Sequence, residues 1–449
     1  MAQRFSPPPW AREALERLEQ AGFEAWFVGG CVRDSLLGLA PGDWDVTTSA
    51  LPEETAACFA GLPQVDAGKK HGTVAVVLSG QLVEITTYRV DGAYSDSRHP
   101  DGVAFSSRLE DDLSRRDFTV NAMAWHPRRG LVDPFGGRED LSRRMLRCVG
   151  DPRRRFGEDA LRVLRCLRFA SQLGFSIQRE TGRALWEFEG PLLTLSAERV
   201  REELTKLLCG ENAPQVLREY SGVFFPLLPE LEPMCGCTQE TPYHCYTVWE
   251  HTLHVVEKAP RTPTLRWAAL LHDSGKPPAK FFEGGVAHFY GHAKLSAQRA
   301  ESLLARLRFS TRDRERVVSL VAAHSQALPF SEKRLKKLLS AQGPQWVGEL
   351  LDLMAADNSG KQPGIGPGRL AQVAQARSLV EEILRREDCL SLKALAVKGG
   401  DLLDLGCPPG PLVGEILQRL LDQVLEGSLP NDREALLKRA RSLLRKKPG

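Results

Sequence analysis

Nowhere does the chain run to the roughly 20 consecutive apolar residues that a membrane-crossing helix needs, so no helical span is expected. The opening residues, Met1–Trp10, lack the apolar core of a secretory signal, and cytoplasmic residence is the expectation. The ten cysteines follow no framework spacing and would stay reduced in that compartment. Cys235, Cys237, His244 and Cys245 form one loose cluster whose spacing fits no common zinc knuckle. There is no internal repeat, and no large excess of either charge. A net charge of +3 neither demands nor bars a nucleic-acid partner. Clustering is more informative than the total. Arg143, Arg144, Arg147, Arg153, Arg154 and Arg155 precede a helical stretch with Arg162, Arg165 and Arg168. Such a stripe suits a polyanion, or else is a solvated charged face.

At 449 residues the chain is long enough for two to four domains. Its first 145 or so residues alternate helical and strand-like patterns. Helices are expected over 11–20 and 31–37, and strands over 24–28, 43–47, 73–78 and 82–87. This pattern describes a small α/β sheet domain. From Arg153 strand signals nearly vanish, and amphipathic stretches such as 158–173, 197–209 and 295–308 predict helices. Ser359–Gly368 reads as a linker before a helical tail.

Chemistry concentrates first at Asp43 and Asp45. Two residues apart in an extended stretch, they project from one face while Trp44 points the other way. Paired hard oxygens suit Mg²⁺, which completes its coordination with substrate phosphates. Upstream, Gly29-Gly30-Cys31-Val32-Arg33-Asp34 follows a strand and opens a helix. Gly30 lets backbone N–H groups approach a phosphate, and Arg33 can reach one of its oxygens. Glu84, in a neighbouring strand, is either a third carboxylate or a structural partner for a basic side chain.

Phe27–Gly38 followed by Asp43-Trp44-Asp45-Val46-Thr47-Thr48 resembles the first motif of the tRNA nucleotidyltransferase and poly(A) polymerase family, class II, the branch with the bacterial CCA-adding enzymes. Arg115–Ala122, Asp133–Gly137, Glu158–Arg162 and Glu198–Glu203 are similar to its next four motifs, in order. The resemblance implies an α/β nucleotidyltransferase head with a small mixed sheet over 1–148. After it would come an all-α neck over 149–212, a helical body over 213–360 and a tRNA-binding tail over 369–449. It implies catalysis by Asp43, Asp45 and Glu84 with Mg²⁺. Nucleotide contacts would come from Gly30, Arg33, Arg116, Asp159, Arg162, Arg165 and Arg168, with CTP, ATP and the tRNA 3′ end as partners. Residues 91–100 are similar to the loop the family needs to add the terminal A, and 68–73 to its tRNA-directed members. In the tail, Val397–Leu402 and Gly406–Pro411 resemble the family's tRNA-elbow region, and the closing Arg439–Lys447 run is basic.

Base choice also has a physical reading. Placed i and i+3 on one helix, Asp159 and Arg162 would be neighbours, one accepting and one donating. Cytosine and adenine each present an amino donor beside a ring acceptor, so this pair complements both. Uracil and guanine present a carbonyl beside a ring N–H, and mismatch both contacts. Asp159 could instead be a carboxylate that complements a helix start.

Seven of the ten histidines lie between 244 and 324. His251, His272-Asp273 and Asp357, with His292 and His324, resemble an HD-type metal-dependent phosphohydrolase domain over about 245–360. Mixed imidazole and carboxylate ligands suit Mn²⁺, Fe²⁺ or Ni²⁺, with Mg²⁺ also compatible. His254, one turn from His251, reads as packing. The remaining alternatives are an A-adding or poly(A)-adding enzyme, and an HD phosphohydrolase whose head only binds RNA. Oligomeric state is not legible.

Overall fold

The computed structural model describes residues 5–65, 68, 72–91, 103–240, 246–361 and 366–445. Residues 92–100, 69–71, His244 and Cys245, and the end of the basic C-terminal run, all singled out above, lie outside them. The chain divides into two compact units, Met1–Pro229 and Glu230–Gly449. No described helix is long and apolar enough to cross a membrane.

The first unit is built on a mixed sheet. Its strands are β1 (Ala25–Val28), β2 (Asp45–Thr48), β3 (Gln64–Val65), β4 (Thr73–Leu78) and β5 (Gln81–Thr87), with β6 (Arg89–Asp91) and β7 (Val103–Phe105) forming a separate pair. After them come β8 (Ala124–His126) and β9 (Gly130–Val132). The seven-stranded order is β3-β4-β5-β2-β1-β8-β9, antiparallel except where β2 runs alongside β5. In β4, Val74, Val76 and Leu78 are buried and alternate with half-buried neighbours, the period-2 signature of a strand with one face in the core. The helix Pro9–Gln20 buries Ala11, Ala14, Leu15 and Leu18, the i, i+3, i+4, i+7 stripe, and touches β1, β2, β4 and β5.

Beyond the sheet the first unit is mainly helical. Pro152–Glu158, Leu161–Leu173 and Ala197–Leu208 carry the residues that matter below. The expected single helix over 158–173 is two. Asp159 is extended, with φ −145° and ψ 107°, and breaks the run between Glu158 and Leu161.

In the second unit, helices Val248–Lys258, Pro263–Leu271, His292–Arg306, Thr311–Ala323, Glu332–Ser359 and Gly366–Arg385 pack on one another. The expected linker is a short connection between the last two of these, which are packed together. A hairpin not foreseen from the sequence, Phe281–Glu283 with Val286–His288, interrupts the helices. The last helices, Gly399–Asp404, Pro411–Leu425 and Arg433–Arg445, close over a small core that includes Leu402, Leu420 and Leu436.

Candidate active site

β1 ends at Val28, which faces Asp45 across the β1–β2 ladder. Asp43 precedes β2 rather than lying in it, yet the alternation holds. Trp44 is buried against Phe27, with ring centroids 5.0 Å apart, while Asp43 is exposed and Asp45 half-buried on the opposite side. The turn into helix Gly30–Leu36 passes through Gly29, at φ +76°. A Cβ there would stand 3.0 Å from Arg116 Nη1 and 4.0 Å from Asp45 Oδ2, and one on Gly30 would stand 3.9 Å from Asp43 Oδ1. Glycine therefore serves two ends here, the left-handed backbone and the close approach of cation and carboxylates.

Burial, then the charge of Asp43, pushes the Asp45 carboxyl up to about 7 against the opposing pull of Arg116. A carboxyl kept from ionising by burial and by a neighbouring carboxylate is part of a donor set that a divalent cation completes, so the residues fit Mg²⁺. Glu84 is exposed on β5, the strand beside β2, and its charge adds to the upward push on Asp45. It is not among the residues lining the cleft.

Around these carboxylates stands a layer of arginines, anchored from below by acids. Asp112, fully buried, accepts from Arg115 at 2.5 Å and Arg116 at 3.2 Å, and takes the Thr47 hydroxyl at 3.1 Å. Asp117 accepts from Arg165 at 2.7 Å, from the Asn121 amide at 3.2 Å and from the Phe118 N–H at 2.8 Å. Burial alone would raise its carboxyl, but Arg165 and Asn121 outweigh that and hold it at about 2. Asn121 in turn accepts from Arg33 at 2.8 Å. Glu203 holds Arg168 at 3.2 Å. Three guanidinium groups, those of Arg33, Arg165 and Arg168, lie 5.2, 5.4 and 4.1 Å from the centre of the Phe169 ring.

Asp159 and Arg162 are not helix-face neighbours that pair with each other, because the helix breaks between them. Asp159 Oδ1 accepts the Leu161 N–H at 3.0 Å, one residue ahead of the second helix's N-cap Ala160, and its Oδ2 accepts from Arg199 at 2.8 Å. Arg162 donates to Glu158 at 2.6 Å and to the carbonyls of Arg155 and Arg115, each at 3.0 Å.

A single cleft of about 620 Å³ nonetheless gathers them. Gly30, Arg33, Asp43, Asp45 and Arg116 line it from the sheet side, and Asp159, Arg162, Arg165 and Arg168 from the helices that follow. The sequence reading did not assign Asp117, Asn121, Phe169, Arg199 and Lys206, which line it too. Asp117, Asn121 and Arg199 sat inside the motif blocks, and that position was the available signal.

Comparison with known proteins identifies the family. A family model described as Poly A polymerase head domain matches residues 25–147, and one for tRNA nucleotidyltransferase domain 2 matches 285–440. A third, described as Probable RNA and SrmB- binding site of polymerase A, matches 174–235. The chain is 35% identical over 438 residues to the CCA-adding enzyme of Limosilactobacillus fermentum, covering 97% of both chains. It is 34% identical over 442 residues to that of Geobacillus stearothermophilus, covering 96% of both. The chain belongs to the CCA-adding enzyme family. A solved CCA-adding enzyme of Bacillus stearothermophilus in complex with CTP matches at a TM-score of 0.72 and 30% identity, over 98% of each chain. The fold is the expected one, an α/β head followed by helices.

This CCA-adding family member carries a second constellation in its other unit. His251, His272 and Asp357 place one ligand atom each within 4.8 Å of one another, and so do Asp273, His292 and His324. Their orientation has one cause. Nδ1 of His272, His292 and His324 faces the carbonyl three residues back, of Ala269, Phe289 and Val321, at 2.8, 2.8 and 2.7 Å. His251 Nδ1 faces the Gly360 carbonyl at 3.3 Å. With Nδ1–H donating, each Nε2 lone pair turns inward, the arrangement that prepares imidazole for a metal. His272 Nε2 is buried without a well-formed hydrogen bond, 3.2 Å from Asp273 Oδ2, so the donor set fits a divalent ion. Lys276 and Lys361 stand 2.7 and 2.9 Å from Asp273 and Asp357. His254 lies outside the cluster, against Tyr246 with centroids 4.6 Å apart.

Proposed function

We propose that this chain adds C, C and A to the 3′ end of tRNA from CTP and ATP, without a template, in the cleft of its first unit. The 3′-hydroxyl oxygen attacks the α-phosphorus of the nucleotide, the bond to the bridging oxygen breaks, and pyrophosphate leaves. Asp43 and Asp45 would hold Mg²⁺, which activates a hydroxyl and offsets charge on the leaving group. Arg33, Arg116 and the N–H groups at Gly30 bind the triphosphate, and Glu84 adds negative charge beside Asp45. Asp159 faces the amino group of C or A, Arg162 supplies the donor, and Arg165 and Arg168 fix the nucleotide from the same side. What carries this reading is the meeting of Asp43 and Asp45 with Asp159 and Arg162 in one cleft. The same reading divides the chain into head (1–148), neck (149–212), body (213–360) and tRNA-gripping tail (369–449).

Three tRNAs test the reading: one lacking all three terminal nucleotides, one lacking the last, and one complete. With CTP and ATP supplied separately and together, the first should need both nucleotides and the second only ATP. The third should not be extended. Extension of the second but never the first would replace CCA addition by A addition.

A second reading is favoured by the four inward-facing imidazoles. His251, His272, Asp273 and Asp357, with His292 and His324, hold one or two divalent ions, among Mn²⁺, Fe²⁺, Ni²⁺ and Mg²⁺, in an HD-type centre that hydrolyses phosphoesters. Metal content of the purified protein, compared with that of Asp273→Ala, tests it.

A further inference from the structure

β4 and β5 divide their residues between two faces. Val74, Val76, Leu78, Val83 and Ile85 are buried on the core side. The alternate residues, among them Ala75, Val77, Leu82 and Glu84, face the other way. Register extends that second face across the sheet. Val65 on β3 pairs with Ala75, Ala75 with Glu84, and Val77 with Leu82. Val46 pairs with Ile85, so Asp45, one residue earlier, is level with Glu84 and on its side. Four apolar residues, Val65, Ala75, Val77 and Leu82, thus adjoin the acids of the active site. Two of them are open to solvent, Val65 at 49% and Leu82 at 53% exposure. Single exposed apolar side chains are ordinary, but a contiguous set beside a reaction centre marks a contact surface.

We propose that this open face seats the terminal nucleotide of the acceptor RNA, its sugar and base against Leu82 and Val77. The proposal rests on the nucleotide-addition reading and adds where the acceptor end lies. Among the described residues, none of β4 or β5 lines the cleft. Gly30 and Arg33 follow β1 on one flank of β2, while β5 lies on the other. In a displacement at phosphorus the attacking and leaving oxygens are roughly in line. With the triphosphate held on the β1 flank, the attacking hydroxyl has to reach Asp43 and Asp45 from the β5 flank. Leu82 lies about 7 Å along β5 from Glu84, and adjacent strands are about 5 Å apart, so the patch has the scale of one nucleoside. None of its four side chains is charged. The contact therefore suits sugar and base, and leaves the strand's phosphates to cations elsewhere.

The test uses full-length protein and tRNA lacking its three terminal nucleotides, with 4-thiouridine as its last residue. Irradiated without any nucleoside triphosphate, that residue should crosslink to β4 or β5, as read by mass spectrometry of the peptides. Capture by helix Leu161–Leu173 or by the second unit overturns the proposal. In extension assays Leu82→Thr, whose β-branched side chain suits a strand, should lower kcat/KM for tRNA about three- to tenfold. That is the loss expected from uncovering half a leucine side chain. CTP affinity in equilibrium dialysis without tRNA should stay unchanged, and Leu82→Met should restore extension. An equal fall in CTP affinity would assign the face to the nucleotide, and unchanged kcat/KM would assign it to no substrate. A change of oligomeric mass with turnover intact would assign it to a second copy of the chain. Each of these overturns the proposal. The crosslink needs no turnover, which separates the two readings. Capture on β4 or β5 by a protein that extends no tRNA would refute nucleotide addition and leave the seat standing. Extension with capture elsewhere would do the reverse.

Discussion

Replacing Asp159 separates two tasks that its two oxygens perform. Oδ1 accepts the Leu161 N–H at the start of helix Leu161–Leu173, and Oδ2 holds Arg199 at the cleft wall. Asp159→Ala removes both. The lost hydrogen bond to the Leu161 N–H should cost about 1 kcal/mol of stability. The lost acceptor should remove a charged hydrogen bond to the base amino group, on the order of 1.5–3 kcal/mol. Selectivity for C and A over U and G should then fall about ten- to a hundredfold. Asp159→Asn is the sharper probe. Its amide oxygen can keep the bond from the Leu161 N–H, while its NH₂ takes the place of Oδ2. The NH₂ can no longer accept from Arg199, so that amide and the released guanidinium are both donors at the cleft wall, matching O4 of uracil or O6 of guanine. The asparagine enzyme should therefore drift further toward U and G than the alanine enzyme while melting closer to wild type. The assay is kcat/KM for all four nucleotides on tRNA lacking its last residues, with Tm measured on each variant. An Asp159→Ala enzyme that slows but keeps its full preference for C and A would refute the reasoning, and selection would have to come from cleft shape.

Asp43→Ala or Asp45→Ala should abolish nucleotide addition while leaving tRNA affinity nearly unchanged in filter binding, because phosphate contacts lie elsewhere; near-normal turnover would remove them from the mechanism. His272→Ala or Asp273→Ala should abolish metal-dependent phosphoester hydrolysis and leave CTP and ATP incorporation largely intact, and a collapse of incorporation in a folded variant would contradict two independent sites. Asp117, held at about 2 against an ordinary 3.8, should contribute about 2 kcal/mol of stability that is fully present above about pH 4 and lost as pH falls toward 2. Asp117→Asn should flatten that acid limb in chemical denaturation, and an unchanged slope would mean that Arg165 does not hold the carboxylate.

What was legible before the fold was known depended on how local the information was. The extent of β4 and the opposed facings of Asp43 and Trp44 follow from a two-residue period, which a sequence displays directly. The break at Asp159 was not legible, because Glu158, Asp159 and Ala160 are all compatible with a continuing helix. The extended backbone at Asp159 is visible only in the fold. β8 and β9 are three residues each and too short for any period to show. The roles of Asp112 and Glu203 were hidden for another reason. An acid's burial under an arginine depends on which distant element covers it, as Glu203 on one helix covers Arg168 on another. The histidine set was legible as a set. That each ring turns its Nε2 inward was not, because the hydrogen bonds that turn them are made by backbone carbonyls, which carry no sequence identity.

Those buried acids bear on how a protein can choose bases with no template. Discrimination is a difference between two binding free energies, and it survives only if the protein's donor and acceptor cannot move to suit the wrong base. A free arginine has about 2 kcal/mol of rotamer entropy and swivels easily, so it would lose much of a 1.5–3 kcal/mol preference by reorienting toward a carbonyl. Here the guanidinium groups facing the cleft are tied down. Arg165 is held by Asp117, Arg168 by Glu203, Arg116 by Asp112, and Arg162 by Glu158 and two backbone carbonyls. The entropy of fixing these side chains is lost once, on folding, and not again with each nucleotide. Selectivity should thus depend on residues that never touch the base. Asp117→Asn, which loosens Arg165 without altering any proposed base contact, should lower the preference for C and A over U and G even where turnover with CTP persists. If the four-nucleotide kcat/KM ratios of Asp117→Asn equal those of the parent enzyme, rigidity of the arginine layer is not what makes the choice.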